Sequence, residues 1–339
     1  MNTSSKPYDH KTDKTMDTGS WSPSLQNLSK EIAADPLWII RAAANPKLTA
    51  ELIAVDDLEK VKESANHLKD HPKQDLRKAI EDVLMLEDPR SGLKWLCHAG
   101  ALGVVLPEIY ATVRFSQESD RRHKDVWAHT KQVVFQTQRV LPVRWAALLH
   151  DIGKVQTRTI TSDGKVQFLG HAEKGAAMFR KISARLDFPK KLGSEVHFLI
   201  LKHLRASQYS AEWNDSAVRR FYRQAGDYLD HLLALSRGDI TTARPEKRRA
   251  ILKALDELCA RIEELKKEEA KQPLLPSGIG NKIIAHFNLE PGRIIGKIRS
   301  FLEDKIEKNE LEPRLPAEDY IHFLENHRNA WEKLTEPTD

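Results

Sequence analysis

Apolar residues in this chain recur at intervals of three, four and seven, the spacing that lines one face of an α-helix. Val126 and Val133 form one such stripe, Val196, Leu199 and Ile200 a second, Leu232 and Leu235 a third. Strand-like alternation is confined to positions 157–160 and 165–168, joined by Ser162-Asp163-Gly164. That triplet is a turn signal, because glycine accepts the positive φ that tight hairpin turns demand. Ala, Leu, Lys and Glu are abundant and only 15 of 339 residues are glycine. The predicted fold is therefore mostly α, a multi-helical core with one small β-hairpin, flanked by helical modules.

Breakers divide the pattern. Residues 1–20 are polar and read as disordered. Helical segments fill 21–110, punctuated by Pro36, Pro46, Pro72 and Pro89 and by a loop at Ser91-Gly92. Residues 111–250 hold the hairpin and the three stripes, and Arg244-Pro245 marks the exit from the third. A charged helix then runs to about Lys271, where Pro273, Pro276 and Gly278 break it. A helical tail module occupies 251–330, residues 331–339 read as frayed, and no internal repeat is apparent.

The stripes carry polar residues where apolar ones belong. His129 shares its face with Val126 and Val133, His203 with Val196, Leu199 and Ile200, and Asp239 follows Leu232 and Leu235. Burying an unpaired carboxylate costs on the order of several kcal/mol, so Asp239 needs a cation or strong donors. Between these positions lies His150-Asp151, at the end of a helix of small and apolar residues, with His171 beyond the hairpin. A lone histidine on an apolar face is more often a hydrogen-bonded core residue than a ligand. Four in series with two aspartates point instead to one or two divalent ions, such as Mn, Ni, Co, Mg or Fe, in a hydrated imidazole–carboxylate site. His10, His67, His71 and His123 lie in polar surroundings and His197 faces away from His203, so these are read as surface or structural.

The run His150-Asp151-Ile152-Gly153-Lys154, the hairpin and Gly170-His171 resemble the HD-domain metal phosphohydrolases. More narrowly, they resemble the HD region of bacterial tRNA nucleotidyltransferases and poly(A) polymerases. The resemblance implies that His129, His150, Asp151 and Asp239 are the basic ligand set, that His171 and His203 complete a two-metal site, and that Asp151 and Lys154 are catalytic. Asp151 would bridge two ions or orient water, and Lys154 would contact the scissile phosphate. A solvated lysine at a helix end is the plainer reading of Lys154. Similarity extends over roughly residues 30–330, through Asp35-Pro36-Leu37-Trp38, Leu106-Pro107-Glu108 and Pro291-Gly292-Arg293, which resemble the neck, body and tail of those enzymes. The nucleotide-adding head would need two carboxylates alternating on a strand. No Asp-x-Asp occurs, and neither does a P-loop or Gly-x-Gly-x-x-Gly. By itself the chain is not expected to add nucleotides.

Composition adjusts this picture slightly. Net charge is +5 and the isoelectric point about 9.0, which suits an acidic partner without requiring one. Arg219, Arg220 and Arg223 interleave with aromatics, and with Arg244 and Arg293 they are candidate RNA contacts. The two cysteines, Cys97 and Cys259, are far apart and form no metal pair, and there is neither a signal peptide nor an apolar run near membrane length. The expected location is the cytoplasm, with no membrane partner. The reading is thus a divalent-metal-dependent phosphohydrolase acting on nucleotides or RNA ends, phosphomonoesters or 2′,3′-cyclic phosphates, with tRNA among the substrates. The alternative is an RNA-binding subunit working with a separately encoded nucleotidyltransferase. A di-iron oxygenase is a third reading, which the phosphate-friendly Lys154 disfavours.

Overall fold

A computed structural model describes residues 25–45, 58–117, 125–271 and 273–335. The expected disordered start, Pro46, His10, His123 and residues 336–339 lie outside them. The chain forms two compact units: one holds residues up to His203 together with Gly238–Thr241, and the other holds Leu204–Arg237 and everything from Thr242 onward.

The first unit runs through α1 (Leu25–Ala34), α2 (Trp38–Ala43), α3 (Leu58–Ala65), α4 (Lys73–Leu84), α5 (Arg90–His98), α6 (Ala101–Val105) and α7 (Pro107–Gln117). It continues with α8 (Val126–Gln136), α9 (Leu141–Leu149), a single turn α10 (Lys154–Thr157), strands β1 (Thr159–Ile160) and β2 (Val166–Gln167), α11 (His171–Arg185) and α12 (Lys190–Lys202). At its centre is α9, buried without interruption from Val143 to Leu149, with α4, α8 and α12 packed around it. Arg144 lies within that run. Its guanidinium donates to the Leu84 and Leu86 carbonyls that end α4 and to the Thr137 and Gln138 carbonyls that follow α8, at 2.9–3.3 Å. One side chain thereby satisfies the Leu84, Leu86 and Thr137 carbonyls at two helix ends and adds a second donor to that of Gln138, which already accepts from the Val140 amide.

The hairpin is shorter than its sequence pattern. Thr159 pairs with Gln167 and Ile160 with Val166, antiparallel, and Gly164 takes the expected positive φ of 77°. Position 157, expected to open the first strand, closes α10 instead. The Lys154 amide donates to Asp151 O, the Gln156 amide to Gly153 O, and the Thr157 hydroxyl to Gly153 O. Those local bonds wind residues 151–157 before a strand can start.

The second unit contains α13 (Asp215–Ala225), most of α14 (Leu229–Gly238), α15 (Pro245–Lys271), α16 (Ile279–Phe287), α17 (Arg293–Glu307), α18 (Ala317–Asn326) and α19 (Arg328–Thr335). Residues 204–237 cluster here, where α13 packs on α15. The tail has its own core of Ile283, Ile298, Leu302, Tyr320, Leu324 and Trp331. Residues 331–335, expected to fray, are helical. Trp331 is buried and its indole donates to Leu324 O at 2.9 Å, which anchors the last turn. Among the described residues no helix is long and apolar enough to cross a membrane.

Candidate metal centre

Each of the six side chains reaches the centre from an element end or an inward helix face. His129 projects from α8, a helix capped by Asp125. His150 and His203 occupy the residues just past α9 and α12, and His171 opens α11. Asp151 follows His150, and Asp239 stands just beyond α14 rather than within it. The predicted stripes hold, since Val126, Val133, Val196, Leu199, Ile200, Leu232 and Leu235 are all buried.

Three of the imidazoles are oriented by one repeated device. Nδ1 of His150, His171 and His203 donates to the carbonyl three residues earlier, at Ala147, Phe168 and Ile200, over 2.7–2.9 Å. A carbonyl can only accept, so Nδ1 donates in each ring and the inward Nε2 is the atom that could coordinate an ion. His129 is held through Nδ1 by the Thr241 hydroxyl at 2.8 Å. Gln136, seven residues along α8 from His129, donates to the Gly238 and Ile240 carbonyls and so fixes the backbone on both sides of Asp239.

The inward atoms form two trios: His129, His150 and Asp239, and Asp151, His171 and His203. Nε2 of His129 lies 3.2 Å from Nε2 of His150 and 3.1 Å from Asp239 Oδ1. In the other trio the two Nε2 atoms of His171 and His203 are again 3.2 Å apart. Asp151, only 2% exposed at its side chain, spans both. Its Oδ2 lies 3.2 Å from His150 Nε2 and 3.5 Å from His129 Nε2, and its Oδ1 lies 3.6 Å from His171 Nε2.

This donor set fits divalent cations. His171 and His203 turn two lone pairs toward each other at hydrogen-bond distance with no proton between them, a mismatch that a shared cation resolves. Nitrogen ligands about 2.1 Å from one ion are separated by about 3 Å, the spacing found in both trios. The two carboxylates draw positive charge into the site, a proton on His150 when no other cation is there. Burial alone would depress His150, but the Asp151 and Asp239 carboxylates outweigh it and raise its pKa to about 9. Burial lowers His203 to about 4 and also lowers His171. Against a burial effect that favours the neutral acid, His150 and Lys154 hold Asp151 well below the usual carboxylate range, and His150 and His129 lower Asp239. Lys154 Nζ sits 2.6 Å from Asp151 Oδ2.

The remaining candidates are elsewhere. Arg219 pairs with Glu268 and Glu269, and Arg223 with Glu269 and Glu312, all in the second unit. Arg220 is exposed beside Arg223 on a cavity of about 600 Å³. Arg244 and Arg293 are exposed at the entrances of α15 and α17. His197 lines a different cavity with Arg180 and Lys190, His71 lies 3.5 Å from Asp35, and His67 lies 4.0 Å from Asp70. Thr241 and Gln136 escaped the sequence reading. Both were within reach of it, Gln136 by its seven-residue offset from His129 and Thr241 by its place two residues after Asp239.

Residues 126–261 match the HD domain family. The chain is 33% identical to the CC-adding tRNA nucleotidyltransferase of Thermus thermophilus over 256 residues, 72% of this chain and 56% of the relative. It is 30% identical to the A-adding tRNA nucleotidyltransferase of Deinococcus radiodurans over 234 residues, 66% of this chain and 52% of the relative. A multifunctional CCA protein of Pseudomonas fluorescens is 31% identical over 176 residues, 49% of this chain and 42% of the relative. The chain thus spans about half the length of the curated relatives it matches. It carries an HD domain and is homologous, over roughly 66–72% of its length, to the bacterial CCA-adding tRNA nucleotidyltransferases.

Proposed function

We infer that this protein is a two-metal phosphohydrolase acting on phosphoesters of nucleotides or RNA ends, phosphomonoesters or 2′,3′-cyclic phosphates. The observation that carries this reading is the convergence of two ligand trios on the two oxygens of Asp151. Divalent ions in such a site supply Lewis acidity toward phosphoryl oxygens and make water a competent nucleophile near neutral pH. The chain's own residues do the positioning. Carbonyl-anchored imidazoles keep the coordinating nitrogens inward, which avoids reorganisation when an ion binds. Lys154, mounted on a single helical turn next to Asp151, is placed to pair with a phosphoryl oxygen as the anion arrives. The names of the relatives make a tRNA 3′ end the first substrate to try.

A second reading, an RNA-binding partner of a separately encoded nucleotidyltransferase, is favoured by the match to about half of each tRNA-specific relative and by exposed Arg220, Arg244 and Arg293. The test is phosphate release by metal-stripped protein resupplied with manganese, nickel, cobalt or magnesium. The panel would be bis-p-nitrophenyl phosphate, 2′,3′-cyclic AMP, nucleoside monophosphates and tRNA ending in a cyclic phosphate. Turnover that needs metal and is lost in Asp151→Ala supports the hydrolase. Metal uptake with no turnover on any of them rejects it in favour of the binding subunit, and turnover with iron alone, dependent on oxygen, would point to oxygenase chemistry.

A further inference from the structure

A row of alternating cations and aromatic rings leads away from Asp151. Lys154 Nζ, on the carboxylate, lies 5.6 Å from the Phe168 ring centroid. The Phe168 ring meets Phe115 edge-on, at 6.2 Å between centroids and 65° between planes. The Arg158 guanidinium in turn lies over Phe115 at 5.2 Å. All four side chains are only partly buried. Phe168 also has a direct link to the metal centre, because its carbonyl accepts the His171 Nδ1 proton.

Two features separate this row from ordinary packing. Arg158 has no carboxylate partner among the described residues, whereas Arg144, Arg185, Arg219 and Arg223 end on carbonyls or carboxylates; its Nε is buried without a hydrogen bond, as is that of Arg185. The two large apolar side chains exposed among the described residues, Ile160 at 57% and Leu169 at 78%, both lie in the hairpin segment between Arg158 and His171. Single exposed apolar residues need no explanation. Here they coincide with an uncommitted guanidinium and two accessible rings beside a phosphate-friendly lysine. Rings stack nucleobases with little regard to sequence, and a guanidinium forks phosphate oxygens. With two rings standing between Lys154 and Arg158, the two cations suit successive phosphates rather than one.

We propose that Lys154, Phe168, Phe115 and Arg158 form a recognition rim for the 3′ end of an RNA strand. The terminal nucleoside lies against the rings and Arg158 holds the phosphodiester on its 5′ side. The favoured ligand is therefore an end of two or more nucleotides rather than a free mononucleotide. The proposal rests on the metal-pair reading only for the seat of the terminal phosphate.

The test is equilibrium binding to the manganese-loaded full chain, with inorganic phosphate, adenosine 3′-monophosphate and the 3′-phosphorylated dinucleotide ApAp as probes. The dinucleotide should bind tightest. Arg158→Gln should weaken it about tenfold and leave the mononucleotide and phosphate unchanged, while Arg158→Lys recovers part of the loss. Phe115→Leu should weaken both nucleotides several-fold and spare phosphate. Equal affinity for the three probes, or an equal loss on all three in Arg158→Gln, overturns the rim. Asp151-dependent phosphate binding with no gain from the nucleoside also overturns the rim while supporting the metal pair. Arg158-dependent dinucleotide binding without any phosphate binding supports the rim and counts against the metal pair.

Discussion

The chemistry of the centre turns on Asp151, because each of its oxygens faces a different trio of ligands. Asp151→Asn keeps the shape and removes the charge that two cations would share. Metal content is expected to fall from two ions per chain to one at most, with phosphate release reduced at least about 100-fold and the helical circular dichroism unchanged. Metal analysis of the purified variant decides it, and two retained ions would refute the bridging role. Arg144 shows what residue-level reading could not reach. Five of the six candidate ligands stand out because they interrupt or end an apolar run, and His171 through its place after the hairpin, but the partners of Arg144 include carbonyls about 60 positions away at the end of α4, and nothing local marks them. Arg144→Leu takes the side-chain donor from the buried Leu84 and Thr137 carbonyls and from the half-buried Leu86 carbonyl, and should cost about 2–4 kcal/mol in denaturant unfolding. Lysine there, with one compact ammonium in place of a fork, should recover only part of that.

At the scale of elements, the site depends on how closely the turn after Asp151 meets α11. A Cβ on Gly153 would stand 2.1 Å from the His171 carbonyl oxygen and 2.7 Å from the Gly175 amide nitrogen. Backbone cannot yield at those distances without separating the two elements. Gly153→Ala should therefore move Asp151 and Lys154 away from His171. The expected result is loss of the ion held by Asp151, His171 and His203 with retention of the one held by His129, His150 and Asp239. The substitution should also cost about 1–3 kcal/mol from overpacking. A metal titration that still gives two equal sites would show that the contact relaxes. The sequence made the neighbouring hairpin legible through Ser162-Asp163-Gly164 and its alternation. It overstated the strands because the i to i+3 and i to i+4 bonds that wind 151–157 compete locally with extension, and residue propensity does not reveal which wins.

Across the whole molecule, the chain leaves the first unit after His203 and returns only for Gly238–Thr241. That short return supplies Asp239 to the first trio and Thr241 to His129. Leu232, Leu235 and Asp239 were readable as one stripe. Which unit each residue would join was not, because the stripe belongs to α14 and the carboxylate to the return segment beyond it. An ion bound by His129, His150 and Asp239 closes a loop of more than one hundred residues, so metal binding should act on the return segment more than on the tail. At a free metal concentration 100 times Kd the gain is about 2.7 kcal/mol for the states that retain the site. Hydrogen exchange on metal-free and manganese-loaded protein should show amides of Gly238–Thr241 and the neighbouring end of α8 slowed by about 100-fold on loading. Amides of α17 and α18, which share the separate core around Ile298 and Tyr320, should stay unchanged. Asp239→Ala should remove the slowing at the return segment and leave intact any protection conferred by the Asp151, His171 and His203 trio. Equal slowing in the tail would mean that the ion stabilises the chain globally and that the return segment is not its specific point of action.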